Sequence, residues 1–277
     1  MVENEDVRDV QVLIIGAGLA GLSAALAFED ANATQPPEKK IRYALLDGKD
    51  RVGGRTLTLP GQQDMDFGGG YVGVSQNYLQ FLLRRYGIRT IEEFLPRDKQ
   101  WLFEYSDGIR VEPLPGDDPL SLPGRLNAAL RLGELDAMSL EVRSVLNTPE
   151  RSNFANLDQI SVQEYIEQQA QAWEEGGRRD EFGMNPDTID AFVCSVRSAF
   201  SVEPAELSMF YLLYYAAAAG SYSALVDVAG GPGAAEGARL PNGTGELVGR
   251  MLADIQAGSP GALYQNTAVY TVKQDGG

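Results

Sequence analysis

The sequence predicts an α/β fold in which a parallel strand–helix unit is interrupted by a long, mainly helical segment and then resumes. Three observations carry this. The first fifty residues read as strand, helix, strand. The middle places apolar residues at helical spacing. The end returns to a glycine turn, a helix and an alternating run. Gln11–Ile15 is a short apolar run with a β-branched bias, closed by Gly16, which predicts a buried strand. Leu19–Asp30, rich in Ala and Leu, predicts a helix, and Asn32–Lys40, with Pro36 and Pro37, a polar loop. Ile41–Leu46 predicts a second strand ending at Asp47, parallel to the first because a helix connects them.

Further along, Asn77–Tyr86 has helical spacing through Tyr78, Phe81, Leu82 and Arg85, with Gly87 as the stop. Trp101–Tyr105 and Gly108–Val111 read as a hairpin around Ser106-Asp107, after which Pro113, Pro115, Pro119 and Pro123 mark an extended stretch. Helical patterns follow at Arg125–Leu132, Val162–Ala172, Asp187–Ala199 and, after Pro204, Ala205–Ala219. A Gly/Ala-rich segment over 229–238 breaks the pattern. Gly243-Thr244-Gly245 then opens a helix through Met251 and Ile255, and Ala268–Val272 alternates like a strand. The expected organisation is an acidic tail over 1–9, a first α/β part over 10–92, a mostly helical segment over 93–238, and a second α/β part over 239–277. No internal repeat is found.

Composition narrows the chemistry. The chain of 277 residues contains no histidine and one cysteine, Cys194. A Ser-His-Asp triad, a Cys-His pair, a histidine-ligated zinc and a histidine proton shuttle are therefore impossible within it, as are an internal disulfide and a cysteine-cluster metal site. No metal site is expected. A net charge of −16 opposes binding to nucleic acid or an anionic membrane. No stretch approaches the ~18 apolar residues of a spanning helix. With an acidic, polar N-terminus, the expectation is a soluble intracellular protein.

Gly16-Ala17-Gly18-Leu19-Ala20-Gly21 fits G-x-G-x-x-G directly after a strand and at the opening of a helix. In that setting Gly16 permits the turn, Gly18 admits a pyrophosphate to the backbone, and Gly21 lets helix and strand approach closely. The helix N–H groups and dipole then face the phosphates. Asp47, at the end of the second strand, is placed to accept hydrogen bonds from ribose hydroxyls, the loop over 32–40 accounting for its extra distance from Gly21. Two further glycine clusters follow, Arg51-Val52-Gly53-Gly54-Arg55 and Asp66-Phe67-Gly68-Gly69-Gly70-Tyr71-Val72-Gly73. A simple nicotinamide-binding domain needs neither, whereas a flavin dinucleotide would use both. Arg55 neutralises phosphate, and Gly68–Gly70 let a ring system lie on backbone.

With these motifs and Gln76-Asn77, the chain resembles the flavin-containing amine oxidases, and within them the monoamine oxidase branch with its Gly-Gly-x-Tyr-Val-Gly-x-x-Gln run. Asp190–Phe192, Glu203, Leu207 and Phe210–Tyr215 resemble that family's substrate-domain helices. Asn242–Gly245 resembles its glycine turn, and Ala268-Val269 its adenine-contacting strand. The resemblance implies a Rossmann-like FAD-binding domain interrupted by a mainly helical (α+β) substrate-domain segment. It implies FAD contacts from Gly16, Gly18, Gly21, Asp47, Lys49, Gly54, Arg55, Gly69, Gly70, Tyr71 and Val269. Asp47 stands where the family commonly has Glu, and Val74 where the branch often has proline.

The implied reaction moves hydride from the α-carbon of a neutral primary amine to flavin N5. Imine hydrolysis and reoxidation by O2, giving H2O2, complete it. Family members usually continue for about two hundred more residues, so the expectation is an N-terminal portion not active alone, with a complementary C-terminal half or a second copy of itself as partner. No catalytic residue is assigned. Tyr71 is the candidate pocket wall, with a core tyrosine equally open. Polyamine or amino-acid oxidation, and a catalytically silent nucleotide-binding subunit, stand as alternatives. The aromatic run over 210–215 is expected to be mostly core, Cys194 an inert core thiol, and Asp64 and Asp66 turn residues.

Overall fold

The computed structural model describes residues 9–59, 61, 65–92, 101–105, 108–112, 122–145, 148, 154–175, 183–226 and 234–274. They divide into two compact units. One comprises Met1–Tyr71, Tyr78–Ile91 and Arg239–Gly277, the other Val72–Asn77 and Glu92–Ala238.

The first unit is built on a parallel sheet of β1 (Val12–Ile15), β2 (Tyr43–Leu46) and β8 (Leu263–Tyr264), in the order β1-β2-β8. Val12 lies opposite Tyr43 and Ile15 opposite Leu46, while Leu45 lies opposite Leu263. Helix α1 (Leu19–Asn32) buries Leu22, Ala25 and Leu26, and α9 (Thr244–Gly258) buries Leu247, Val248, Met251 and Ile255. These spacings of three and four residues make one apolar stripe per helix, and the two helices pack together. Each large aliphatic residue buried there contributes about 1.5–3 kcal/mol. Helix α2 (Asn77–Tyr86) is tied in by Arg85, which donates to Asp30 at 2.6 and 2.9 Å and to Asp254 at 3.4 Å. The Tyr86 hydroxyl donates to the same Asp254 at 3.0 Å.

Three local expectations change. The second strand begins at Tyr43 rather than Ile41, because the buried Asn32 side chain takes both backbone groups of Ile41. The first strand is not buried. It lies at the edge of its sheet, and Leu13 and Ile15 are 50% and 55% exposed. The run Ala268–Val272 is not a strand; the strand is β8, ahead of it. After β8, Asn266 takes a left-handed φ of 54°, which ends the pairing, and Tyr270 and Val272 face solvent.

The second unit is mainly helical: α3 (Leu122–Val145), α4 (Ala155–Asp158), α5 (Val162–Glu175), α6 (Pro186–Phe200), α7 (Met209–Ala219) and α8 (Tyr222–Val226). The expected hairpin is present as β5 (Trp101–Tyr105) and β6 (Gly108–Glu112), antiparallel with Trp101 opposite Glu112; its turn, Ser106-Asp107, lies outside the described residues. Where the chain passes from one unit to the other it forms three two-residue strands, β3 (Tyr71–Val72), β4 (Ile91–Glu92) and β7 (Ala238–Arg239). The core joins Leu135, Val142, Val162, Ile166, Phe192, Val196, Leu212 and Leu213.

Helix α3 is longer than expected, because Leu135, Ser139 and Val142 continue its buried stripe beyond Leu132. Asn185 caps α6 by accepting from the Thr188 N–H, with Pro186 in the first turn. The predicted helix after Pro204 is split. Residues Pro204–Glu206 form a 3₁₀ turn closed by a Glu203/Glu206 capping box, and α7 starts afresh with Ser208 as its cap.

Two core assignments are overturned by the spacing of buried positions. Helix α6 buries Thr188, Phe192 and Val196, which turns Cys194 outward, and the thiol is exposed. Helix α7 buries Met209, Leu212, Leu213, Ala216 and Ala217 and packs Phe210 against the core, so of the run over 210–215 the three tyrosines are the part turned out: Tyr211, Tyr214 and Tyr215 stand 43–48% exposed, Tyr211 tilted against Tyr214 and stacked on Tyr215. Among the described residues, no helix is long and apolar enough to cross a membrane.

Candidate functional site

The three glycine clusters come together in the first unit, at the C-terminal ends of β1 and β2. Gly16 follows β1 directly and takes φ +97°, its N–H donating to the Leu46 carbonyl at 2.7 Å. Helix α1 starts three residues later, and Gly21 lies against this turn. A Cβ on Gly21 would stand 1.9 Å from the Gly16 oxygen and 3.4 Å from Ile14, so helix and turn can approach this closely only with glycine. The end of α1 is left open. No side chain caps it, and its first turn carries no acid. Its unshared N–H groups and the positive end of its dipole suit an anion.

The second cluster sits on the first backbone to backbone. The Gly53 N–H donates to the Ala17 carbonyl at 2.8 Å, and Gly18 bridges Gly53 in parallel. The third joins the second through Arg55, whose carbonyl accepts from the Gly69 N–H at 3.1 Å. A Cβ on Gly68 would stand 2.1 Å from that carbonyl, so this contact also demands glycine. On the sides where a Cβ would lie, nothing comes within 4 Å of Gly16 or Gly69. Tyr71 ends the run, 52% exposed, and Phe67 is 56% exposed. Arg55 and Lys49 are exposed.

Asp47 is engaged with backbone. Its carboxylate accepts from the Ala17 N–H at 2.7 Å and the Lys49 N–H at 2.9 Å, which fastens the first glycine turn to the end of β2. The segment after β8 runs alongside. The Thr267 N–H donates to the Asp47 carbonyl and the Asn266 N–H to that of Lys49, both within 2.9 Å, and Ala268 lies over Gly48. Val269, half-buried, follows directly.

Sequence reading passed over one part of this assembly. Asp66, expected only as a turn residue, accepts from the Thr244 N–H and hydroxyl (3.0 and 2.8 Å) at the start of α9 and from the Thr58 hydroxyl. Thr58 in turn accepts from the Gly245 N–H at 2.8 Å. The carboxylate thus caps α9 and holds the third glycine cluster against it. Asp66 and Thr244 are far apart in sequence, and spacing carries no sign of the link. Behind the cap, Asn242 and Arg250 hold the Glu246 carboxyl below its usual range. Asp64 lies outside the described residues.

A family model described as flavin containing amine oxidoreductase matches residues 19–277. A flavin-containing amine oxidase of Oncorhynchus mykiss is 36% identical over 110 residues, which cover 39% of this chain and 19% of that one. A protein named a flavin-containing monoamine oxidase in Mycobacterium tuberculosis is 27% identical over 269 residues, covering 96% of this chain and 52% of its own length. Among solved structures, a triple mutant of putrescine oxidase superposes with a TM-score of 0.75 at 23% identity, over 96% of this chain and 52% of that one. At that identity the likeness speaks for the fold alone. The chain spans about half the length, or less, of these relatives.

Proposed function

The chain belongs to the flavin-containing amine oxidoreductase family, and from that premise we propose that its first unit holds FAD and serves as the cofactor-binding part of an enzyme that oxidises a primary amine with O2. In this reading the first unit is a Rossmann-like domain and the mainly helical unit is the substrate-domain segment that interrupts it. The observation that carries the proposal is the convergence of three glycine clusters on the uncapped end of α1, with open space beside Gly16 and Gly69.

The residues present fit such a group. Backbone N–H groups of Gly18 and the first turn of α1 receive the pyrophosphate, and Arg55 adds a positive charge on the exposed side. Asp47 fixes the glycine turn through Ala17, so the phosphate site is in place before the ligand arrives; the lone pairs it has left accept from ribose hydroxyls. Lys49 and Val269 flank the adenosine end. Gly69 leaves backbone open along the rest of the cofactor, between Gly54, which packs against Gly18, and Gly70, which packs against Asp66, and the exposed ring of Tyr71 walls the amine side. When bound, FAD supplies the hydride acceptor and the route of electrons to O2, which asks nothing of a histidine the chain does not have. The Tyr71–Gln76 run favours a primary amine over a polyamine or an amino acid.

The test is to incubate the purified chain with FAD, remove free ligand, and record the visible spectrum. Flavin bands near about 450 nm at one per chain are expected, with peroxide release on adding a primary amine once a complementary half is supplied. A colourless chain would overturn the proposal.

A further inference from the structure

The third glycine cluster has no apolar anchor of its own. In the run over 65–71, Met65, Phe67, Gly68, Gly69 and Tyr71 are exposed, and no side chain is buried. Backbone bonds hold the run at two points. The Phe67 N–H donates to the Leu57 carbonyl at 2.7 Å, and the Gly69 N–H to that of Arg55 at 3.1 Å. Asp66 carries the only side chain of the run that is not exposed.

Its carboxylate does what burial does elsewhere. Oδ1 accepts from the Thr58 hydroxyl and from the N–H and hydroxyl of Thr244 (3.0 and 2.8 Å), and Oδ2 shares the Thr244 N–H at 3.1 Å. Thr244 opens α9, which is fixed by its own buried stripe of Leu247, Val248, Met251 and Ile255. A helix N-terminus favours a carboxylate, and hydrogen bonds to an ionised acceptor are the strong ones. Gly243 makes room for them. It takes φ +71°, and a Cβ there would stand 2.5 Å from Thr58 Oγ1 and 2.9 Å from Asp66 Oδ1. The Gly70 backbone closes on the same carboxylate, since a Cβ on Gly70 would stand 3.1 Å from Oδ2, while the face of Gly69 stays open. The first glycine cluster is fixed by other groups, with Asp47 on the Ala17 N–H and the Leu46 carbonyl on the Gly16 N–H.

We propose that Asp66 is a positioning residue for the flavin end of the cofactor. It anchors the exposed Gly68–Gly70 turn to α9, so that open backbone stands ready for the ring system, while the ADP end is held without it. The proposal rests on the reading of the first unit as an FAD site and divides that site into two separately fixed parts.

The experiment measures FAD binding by fluorescence quenching and ADP binding by calorimetry on the same preparations, beside thermal unfolding. Asp66→Ala should weaken FAD by about tenfold or more, the effect of one lost charge-assisted hydrogen bond, and leave ADP within about twofold. Asp66→Asn keeps an acceptor at Oδ1 and should recover FAD binding to within about threefold of the parent. Thr58→Val keeps the side-chain shape but removes the hydroxyl from Asp66 and from the Gly245 N–H. It should weaken FAD about threefold with ADP unchanged, and it carries the test if Asp66→Ala does not fold. FAD and ADP weakened alike would mean that the carboxylate only holds the unit together. FAD affinity unchanged in a destabilised Asp66→Ala chain would mean that the turn needs no anchor. Either result overturns the proposal. A parent chain that binds ADP but not FAD would overturn the FAD reading itself, and the proposal with it.

Discussion

Two neighbouring glycine substitutions should separate cofactor binding from folding. At Gly18 the backbone has φ −75° and ψ 178°, which alanine adopts freely, and the nearest atoms to an added methyl are Gly54 Cα at 3.8 Å and Gly53 O at 4.0 Å. The fold therefore accepts Gly18→Ala. The cost is that of a poorer helix cap, under about 1 kcal/mol, or roughly 2–4 °C in Tm for a chain of this size. The phosphate does not accept it, because the methyl keeps it from the N–H groups at the turn. Losing one such bond to a charged group costs about 1.5–3 kcal/mol, which weakens FAD binding by about 10- to 100-fold.

Gly21→Ala reverses the pattern. Its methyl would stand 1.9 Å from the Gly16 oxygen, so turn and helix must separate by well over an ångström. Overpacking of this kind costs about 1–3 kcal/mol or more, or roughly 2–12 °C. Thermal unfolding by circular dichroism reads the first quantity, and quenching of flavin fluorescence reads the second. A well-folded Gly18→Ala chain with unchanged FAD affinity would refute the phosphate assignment. A Gly21→Ala chain as stable as the parent would refute the packing argument.

Asp66→Ala removes the acceptor for the Thr244 N–H, the Thr244 hydroxyl and the Thr58 hydroxyl, and should cost about 2–4 kcal/mol in urea unfolding, a lost helix cap plus stranded donors, with Asp66→Asn intermediate. Burial, reinforced by the nearby Glu134 carboxylate, pushes the Tyr165 phenol up to about 12, against about 10 in an unfolded chain. Its stabilising contribution is complete below pH ~10 and is lost as pH rises towards ~12, a loss on the order of 3 kcal/mol. Tyr165→Phe should flatten the fall of Tm over that window, and an unchanged slope would contradict the burial. Cys194 faces solvent, so one thiol per chain should react with a maleimide under native conditions; labelling that waits for denaturant would restore it to the core.

Much of this architecture is legible in the sequence because the local signals agree with the tertiary context. Gly16–Gly21 sits between a strand and a helix in both, and the cap at Asn185 falls just ahead of the helical pattern that begins at Asp187. The failures share a physical cause. Periodicity says that Leu13, Ile15, Tyr211 and Tyr214 lie on an apolar element, but only the neighbouring elements decide which face is covered. The Thr58–Asp66–Thr244 cap depends on residues brought together by the fold alone. At Asp47 a side chain shorter than Glu reaches the Ala17 N–H, a contact that no pattern in the sequence announces.

The most direct test of the central claim is a fluorescence titration of FAD into the purified chain in the presence and absence of ADP. If the glycine clusters cradle a dinucleotide, FAD binds saturably at one per chain, ADP competes for the same site, and Gly18→Ala weakens both ligands together. FAD that fails to bind, or that binds with no competition from ADP, would contradict it.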